Sequence, residues 1–342
     1  MPGAPMPEQT CIFVVTGQEV VRLSLTGTRA HDARTVLTVA APRCVAVDPH
    51  DPNRVYVGTL DDGLHASDDG GETWHEAWDG IEDRRVPAVS VSRSHIHNGV
   101  SVVYAGTEPS NLYRSEDGGK TWQLLPELRR LPSEPRWSFP PRPWTHHVST
   151  IALHPTDPDS LFVGIELGGV MRSRDGGRTW IDHNPQALSD AHQLLTHPLA
   201  PERVYEAAGQ GVAVSADRGE SWRRMDSGLD RHYAWATAVD PADPDLWYAS
   251  VSRSPSAAHG GGDGQSHLLR SRGNGWTAID RWGDDEALRR MPYALATLPD
   301  QPGKLLVGLR GGSLLVGDDA GDTWSLLDAR MADVIALAAA PA

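Results

Sequence analysis

The sequence predicts an all-β fold, a seven-bladed β-propeller built from four-stranded antiparallel blades. Three observations lead to this prediction. A turn motif ending in Trp recurs along the chain, its copies are spaced like propeller blades, and similar runs of β-forming residues surround the copies. The 34 Gly and 26 Pro among 342 residues also favour short strands and turns over helices.

The recurring motif has the consensus S-x-D-x-G-x-T/S-W. A copy at 317–324 has lost only its leading Ser, and one at 271–276 is shortened and lacks the Asp. The four clearest copies are SDDGGETW at 67–74, SEDGGKTW at 115–122, SRDGGRTW at 173–180 and SADRGESW at 215–222. Successive Trp residues of the six copies are 48, 58, 42, 54 and 48 residues apart. These intervals are the period of a blade with loop insertions.

Four runs rich in β-formers accompany the motif. In the first repeat they are CVAVDP at 44–49, NRVYVGTL at 53–60, GLHAS at 63–67 and TWHEAW at 73–78. Turn residues separate these runs. Each repeat therefore predicts four antiparallel strands, with the motif between the third and the fourth.

The two ends of the chain predict how the ring closes. DVIALAAAPA, at the C-terminal end, has the pattern of a first strand, and CIFVVTG, EVVRLSL and TVLTVA have those of the next three. Residues 10–40 and 333–342 are therefore predicted to form one closing blade, which removes exposed sheet edges. The chain, 1–342, is then a single propeller domain with loop insertions at 126–147 and 252–266.

The motif residues suit a structural turn. Ser and Asp oxygens accept hydrogen bonds from nearby backbone N–H groups, Gly tolerates a positive φ, and Trp packs over the turn. Six equivalent copies around a ring cannot converge on one ligand. A ring of catalytic or metal-binding Asp residues is thus disfavoured.

The motif resembles the Asp-box, or bacterial neuraminidase repeat, over about six of the seven blades. That repeat occurs in sialidases, two-propeller xyloglucanases, sortilin-type receptors and photosystem II assembly factors. The resemblance implies a propeller and leaves the function open. No Arg-Ile-Pro motif of the sialidase type is present. The xyloglucanases place their acids between two propellers, whereas this sequence predicts one.

Composition limits the partners. A formal net charge of −14 argues against nucleic acid or an anionic membrane as the main partner. Cys11 and Cys44 are too few for a disulfide framework and are predicted to be free thiols. The sequence shows neither a secretory signal nor an apolar run long enough to span a membrane, so we expect a cytoplasmic protein.

Strand polarity predicts where a site would lie. The loops entering each first strand and the loops between second and third strands share the face opposite the motif turns. On that face a concave mouth over the central channel collects residues from every blade. Aligned positions in blades three to five are rich in His, Asp, Glu and aromatic residues. The sequence therefore predicts a small-molecule ligand at this mouth.

A metal site is the sharpest hypothesis. His147, His192 and His232 enter from three consecutive blades, with Glu166 or Asp190 nearby. Three His and a carboxylate suit a divalent transition metal and leave room for water or substrate. The opposing interpretation is that these histidines only hydrogen-bond loops and never meet.

Other side chains complete the predicted site. Glu166, Asp190 and Tyr233 are the candidate catalytic residues. The candidate ligand contacts are Arg142, His146, Trp235, Tyr293, Arg310 and Glu108. The Pro-rich insertion at 126–147 is expected to form a wall, with Trp137, Arg142 and Trp144 as contacts.

Three functions follow from these residues. The first is a small-molecule-binding propeller acting as a metal-dependent hydrolase or lyase. The second is a glycoside hydrolase in which Glu108 and Glu166 flank a sugar stacked on Trp235 or Tyr293. The third is a non-catalytic scaffold that binds a protein partner.

Overall fold

Each Trp-ended motif lies at the outer side of one blade, between its third and fourth strands. The computed structural model describes residues 9–260, 262–280, 289–329 and 331–340. It confirms a seven-bladed β-propeller of antiparallel blades. We number the blades from the first complete one in the chain, so that the closing blade is blade 7.

The strands form four concentric layers. In the order of blades 1 to 7, the innermost strands are Pro42–Val47, Ala88–His97, Val148–Leu153, Ala191–His197, Tyr233–Asp240, Pro292–Leu298 and Val334–Ala339. The second strands are Val55–Thr59, Val100–Gly106, Leu161–Ile165, Ala200–Ala208, Asp243–Ser252, Gln301–Leu309 and Gln9–Thr16. The innermost strands surround the central channel.

The third strands are Leu64–Ser67, Leu112–Ser115, Gly169–Ser173, Gly211–Ser215, Ser266–Arg272, Leu314–Asp318 and Glu19–Thr26. The outer strands of blades 1, 2, 4, 5, 6 and 7 are His75–Glu76, Gln123–Leu124, Arg223–Arg224, Trp276–Ala278, Thr323–Leu326 and Arg29–Thr38. In blade 3 a single bridge between Arg172 and Ile181 takes the place of the outer strand.

Burial follows the layers. The second strand of blade 1, VYVGT, and that of blade 3, LFVGI, are buried at every position because a neighbouring blade covers each face. The short outer strands of blades 1 and 2 are exposed. The core is therefore a series of apolar layers between adjacent blades.

The closing blade joins the two ends of the chain as the sequence predicts. Val334–Ala339 pairs antiparallel with Gln9–Thr16, and Leu337 lies opposite Val14. The backbone N–H of Ala340 also donates to the Cys11 carbonyl at 2.9 Å. Because first and last strands share one sheet, the ring closes by hydrogen bonds.

The motif turns make hydrogen bonds within themselves and contacts with the preceding blade. In the second copy, the Ser115 hydroxyl donates to Asp117 Oδ1 and accepts from the Gly119 N–H, both at 2.8 Å. A β-carbon on Gly119 would lie 2.9 Å from the Tyr56 ring of the preceding blade. Trp122 Nε1 donates to the Ala77 carbonyl of that blade at 2.8 Å. The motif thus fixes both its own turn and the contact between blades.

Most of the helical turns in the described residues lie in the two insertions. The first contains 3₁₀ turns at Pro126–Arg130 and Glu134–Arg136, and its Trp137 is buried in the core. The second contains the helix α1, Pro255–His259, whose first turn is capped by the Ser254 hydroxyl. A further 3₁₀ turn, Asp319–Gly321, lies in the last motif copy. Within the described ranges, no helix has the length and apolarity needed to cross a bilayer.

Both cysteines are free thiols. Burial raises the pKa of the Cys44 thiol to about 12, so that it stays protonated at neutral pH. Cys44 is therefore a packed, protonated side chain rather than a reactive thiolate.

Candidate functional site

A cavity of about 630 Å³ opens at the mouth of the channel, on the face opposite the motif turns. Its lining comes from inner strands, from loops between second and third strands and from both insertions. Its polar and aromatic members are Arg43, Glu108, Phe139, Arg142, His147, Glu166, Asp190, Tyr233, Trp235, His259, Tyr293 and Asp333. Below it the channel continues as a space of about 340 Å³ that includes His192 in its wall.

Glu166, Asp190 and His192 form a cluster of three potential metal ligands among the described residues. Each offers one ligand atom, and the three atoms lie within 4.8 Å of one another. Glu166 follows the second strand of blade 3. Asp190 directly precedes the inner strand of blade 4, and His192 lies near the start of that strand. Two adjacent blades therefore bring the residues together at the point where their loops meet the channel.

His192 is fixed in one orientation. Its Nδ1 lies 2.6 Å from the Ala234 carbonyl, which can only accept, so Nδ1 carries the proton and donates. Nε2 then holds a free lone pair, 3.7 Å from Asp190 Oδ2. The side chain is only 3% exposed, and Nε2 has no hydrogen-bond partner in the part of the chain that the structure describes. An imidazole held in this way is prepared to bind a metal.

His147, which directly precedes the inner strand of blade 3, contacts the Glu166 carboxylate. Its Nε2 lies 3.2 Å from Glu166 Oε2, and its ring packs edge-on against Phe139 of the first insertion, with centroids 4.7 Å apart. This contact orients the Glu166 carboxylate. His147 thus holds a potential ligand.

The two carboxyls titrate differently. Burial raises the pKa of Glu166, but the hydrogen bond from His147 and nearby positive charges outweigh it, and the net pKa is lowered. Burial and the negative charge of Glu166 raise the pKa of Asp190 against the opposing effect of His192. One carboxylate is thus stabilised while its neighbour tends to hold a proton.

The backbone around the cluster is shaped to fit it. Leu167, directly after Glu166, has a φ of +47°, a region that β-substituted residues rarely adopt. A β-carbon on Gly209 would lie 1.9 Å from Asp190 Oδ2. These features give the Glu166 turn its path and leave room for the Asp190 carboxylate, as is common at functional sites.

A buried ion pair builds one wall. The Arg142 guanidinium donates two hydrogen bonds to the Glu108 carboxylate, at 2.7 and 2.5 Å, and lies over the Phe139 ring. The Glu108 side chain is 4% exposed. This bidentate pair fixes the first insertion against blade 2, so both predicted ligand contacts line the cavity as part of its frame.

Two tyrosines and a histidine build the opposite wall. Tyr233 Oη and Tyr293 Oη lie 2.6 and 2.8 Å from the two ring nitrogens of His259, which ends helix α1. Burial and neighbouring positive charges lower the pKa of His259 to about 4, so the ring is neutral at pH 7. Burial raises the pKa of Tyr233. One consistent arrangement has Tyr233 donating to His259 Nε2 and His259 Nδ1 donating to Tyr293.

Three predicted residues do not join the cluster. His146 points at Ser110 Oγ, 2.8 Å away, and packs edge-on against Trp137. Arg310 lies behind the wall, where it donates to the Gly260 carbonyl after helix α1. His232 is exposed and lies outside the cavity lining. Of the three histidines proposed as metal ligands, His192 and His147 reach the site and His232 does not.

The expected wall of the first insertion is made by different residues. Phe139, Pro140, Pro141 and Arg142 line the cavity, whereas Trp137 packs into the core. Trp144 is 80% exposed and does not line it. The middle of the Pro-rich segment therefore forms the cavity wall.

Two further residues belong to the site without having been singled out for it. Arg43 lines both the cavity and the channel, and His259 links the two tyrosines. Alignment of the inner strands places Arg43 at the mouth, so the sequence could have identified it as a site residue. His259 lies in a Gly-rich insertion, where neither strand period nor repeat alignment predicts its position.

Comparison with known proteins finds Asp-box repeats in this chain. The BNR/Asp-box repeat family matches residues 65–76 and 113–124. The oligoxyloglucan-reducing end-specific xyloglucanase of Emericella nidulans is 32% identical over 82 residues, which are 22% of this chain and 10% of that enzyme. The chain thus spans a small part of that relative.

Solved structures share the fold at low identity. An ancestral GH74 enzyme is 20% identical with a TM-score of 0.65, over 83% of this chain and 38% of the enzyme. A structure described as YCF48 bound to D1 peptide is 16% identical with a TM-score of 0.57, over 95% of this chain and 87% of YCF48. At these identities the likeness shows a propeller, and the chemistry must be argued from the residues.

Proposed function

We propose that this Asp-box β-propeller binds a divalent transition metal and a small organic molecule at its channel mouth and acts as a metal-dependent hydrolase or lyase. One observation carries the proposal. The buried Nε2 of His192 has no partner among the described residues and faces Asp190 and Glu166. A buried polar atom left in this way costs free energy unless a ligand satisfies it.

The donor set indicates the kind of metal. One imidazole nitrogen and two carboxylate oxygens suit borderline cations such as Zn²⁺, Mn²⁺ or Fe²⁺. Three protein ligands beside an open cavity match a catalytic site, because structural Zn²⁺ sites usually have four protein ligands. The open side is the 630 Å³ cavity itself. A bound substrate would therefore have direct access to the cluster.

The chain's own residues divide the work. A bound metal would supply Lewis acidity toward a substrate oxygen. His147 positions the Glu166 carboxylate, and Ala234 fixes the tautomer of His192. Tyr233 lines the cavity with its hydroxyl on the His259 side, where a substrate can be oriented. Phe139 and its neighbouring prolines give the cavity wall an apolar surface.

Calorimetric titration of metal-free protein with Zn²⁺ and with Mn²⁺ tests the proposal. We expect one site per chain, with affinity reduced about 100-fold or more in His192→Ala and Asp190→Asn. His232→Ala is the matched control and should bind like the wild type. Equal affinity in all three variants, or no binding by the wild type, would contradict the metal site.

A screen of aryl esters and other activated substrates then tests the reaction class. Turnover should vanish with chelator and return with added metal, and His192→Ala should stay inactive in both conditions. A lyase would release product without consuming water, which incorporation of ¹⁸O from labelled water distinguishes from hydrolysis.

Glycoside hydrolysis is the second candidate, favoured by the pair of carboxyls beside an aromatic wall. Glu108 is held by Arg142, so the acid pair would be Glu166 and Asp190, whose ligand oxygens lie within 4.8 Å. That spacing is nearer the roughly 5–5.5 Å of retaining enzymes than the wider gap of inverting ones. Trp235 and Tyr293 offer stacking surfaces.

An assay with aryl glycosides separates this candidate from the first. Hydrolysis that persists in chelator and is lost in Glu166→Gln would support glycoside chemistry. Hydrolysis that requires metal would support the first proposal. Similarity to xyloglucanases makes β-glucosides the first substrates to try.

A further inference from the structure

Among the described residues, Arg43 is a cation without a counterion within ion-pair distance, on the floor of the cavity. It lies in the inner strand of blade 1, is half-buried, and lines both the cavity and the channel beneath. Among the described residues its guanidinium has no hydrogen bond and no ion pair within 4 Å. Arg142, by contrast, donates two hydrogen bonds to the Glu108 carboxylate.

An aromatic ring lies beside this guanidinium. Its central carbon lies 5.6 Å from the ring centroid of Trp235, which belongs to blade 5 on the far side of the channel. A cation–π contact uses the charge of the guanidinium and leaves its N–H donors free to bind a ligand. Those donors form the planar fork that a carboxylate fits with two hydrogen bonds.

The charges of the cavity indicate how many negative charges a ligand should carry. Arg142 offsets Glu108, and a divalent cation would offset Glu166 and Asp190. The positive charge of Arg43 then remains. A monoanion would neutralise it, whereas a dianion such as a phosphate monoester would leave an uncompensated negative charge in a partly buried site.

The remaining acid of the lining does not change this count. Asp333 lies 3.5 Å from Arg310, which offsets it. The rest of the surface is largely apolar, with contributions from Leu60, Pro140, Leu167 and Ile335. The cavity is therefore suited to an apolar or ring-shaped body attached to one anionic group.

From these observations we infer that Arg43 is the carboxylate-binding residue of the cavity and that the ligand is an apolar monocarboxylate. The carboxylate lies against the guanidinium, and the body of the ligand packs between Trp235 and the Pro-rich wall. The inference rests on the proposed metal only for the charge count. The lack of an ion pair on this guanidinium among the described residues and its contact with Trp235 do not depend on the metal.

Benzoate is the probe, with benzamide as its neutral counterpart. Binding to chelator-treated and to metal-loaded protein is measured by calorimetry. We expect benzoate to bind both forms, more tightly with metal, and benzamide to bind about tenfold more weakly or worse. Arg43→Gln should lose about tenfold or more in benzoate affinity, and Arg43→Lys should be intermediate because it keeps the charge without the fork.

Arg29→Gln, which removes the same charge from an exposed outer strand, is the matched control and should bind benzoate like the wild type. Thermal unfolding and Zn²⁺ titration of Arg43→Gln show whether the variant folds and keeps the metal cluster. Equal binding of benzoate and benzamide, or undiminished benzoate binding by Arg43→Gln, would overturn the inference. Arg43-dependent binding in a protein that takes up no metal would uphold it while refuting the proposed metal function.

Discussion

Gly209 packs so closely against Asp190 that a β-carbon on Gly209 would stand 1.9 Å from the Asp190 Oδ2 atom. The carboxyl can therefore keep its place beside Glu166 and His192 only if residue 209 has no side chain. The glycine belongs to the turn after the second strand of blade 4, and its N–H donates to the Asp190 carbonyl at 2.9 Å. The turn at Gly209 and the position of the Asp190 carboxylate therefore depend on each other.

Gly209→Ala should displace the Asp190 carboxylate and weaken metal binding. We expect about a 10- to 100-fold loss of Zn²⁺ affinity, measured by calorimetry, since shifting a ligand or its support has effects of this size. Gly262→Ala is the control, because a β-carbon there would meet no atom within 4 Å. Wild-type affinity in Gly209→Ala would show that Asp190 is not a ligand.

The Arg142–Glu108 pair should be necessary for the stability of the first insertion. Arg142→Met leaves the buried Glu108 carboxylate without its partner, and we expect a loss of about 3 kcal/mol in the free energy of unfolding. The double variant Glu108→Gln/Arg142→Met should recover part of this loss, since no charge then remains buried. Urea denaturation at pH 7 provides the measurement.

Arg129→Met is the control, because it breaks a more exposed ion pair on the same insertion. Arg129 pairs with Glu134 at 3.0 Å, but the guanidinium is 39% exposed. Its loss should cost less than about 1 kcal/mol. If the Arg142 and Arg129 variants lost equal stability, the buried pair would have no special part in holding the wall.

The fold could be predicted from the sequence because the propeller repeats one local pattern. Each motif encodes its own turn, and each run of β-formers has a neighbour in sequence to pair with. The closing blade is the exception, since its strands come from opposite ends of the chain. It was predictable because Val334–Ala339 supplies the one strand that Gln9–Thr38 lacks.

The site was predictable only to the level of strand positions. Tyr233 lines the cavity, whereas His232, one residue earlier, does not, and His147 and His146 differ in the same way. Successive side chains in extended backbone point to opposite sides, so a one-residue difference decides whether a histidine reaches the site. Alignment of repeats fixes the position to about a residue, which is too coarse for that decision.

Ser115→Ala should show that the motif is a structural turn. The Ser115 hydroxyl is buried and satisfies the Gly119 N–H, so its removal leaves a buried donor without a partner. We expect a loss of about 1–3 kcal/mol in the free energy of unfolding and no change in metal affinity. Ser256→Ala, at an exposed position of helix α1, should be nearly neutral. A motif variant with normal stability and lost metal binding would point to a functional role instead.

Acid should weaken the motif turns in a defined pH range. Hydrogen bonds from the Thr73 hydroxyl and N–H, with help from Ser67, lower the pKa of Asp69 to about 2. In the unfolded chain an Asp has a pKa of about 3.9. A depressed folded-state pKa contributes stability that is fully present above the unfolded value, and it disappears as the pH falls toward the folded value. The turns should therefore lose their contribution between about pH 4 and pH 2.

Thr73→Val isolates this effect, because it removes the hydroxyl donor and brings the Asp69 pKa closer to its unfolded value. At pH 7 the variant should be less stable than the wild type. The difference in free energy of unfolding, from urea titrations at several pH values, should shrink as the pH falls from about 4 to 2, because the wild type then loses the advantage that the variant lacks. Thr38→Val, at an exposed strand end, should show a difference that does not vary with pH. A Thr73→Val difference that stayed constant down to pH 2 would mean that the Asp69 carboxylate does not hold the turn.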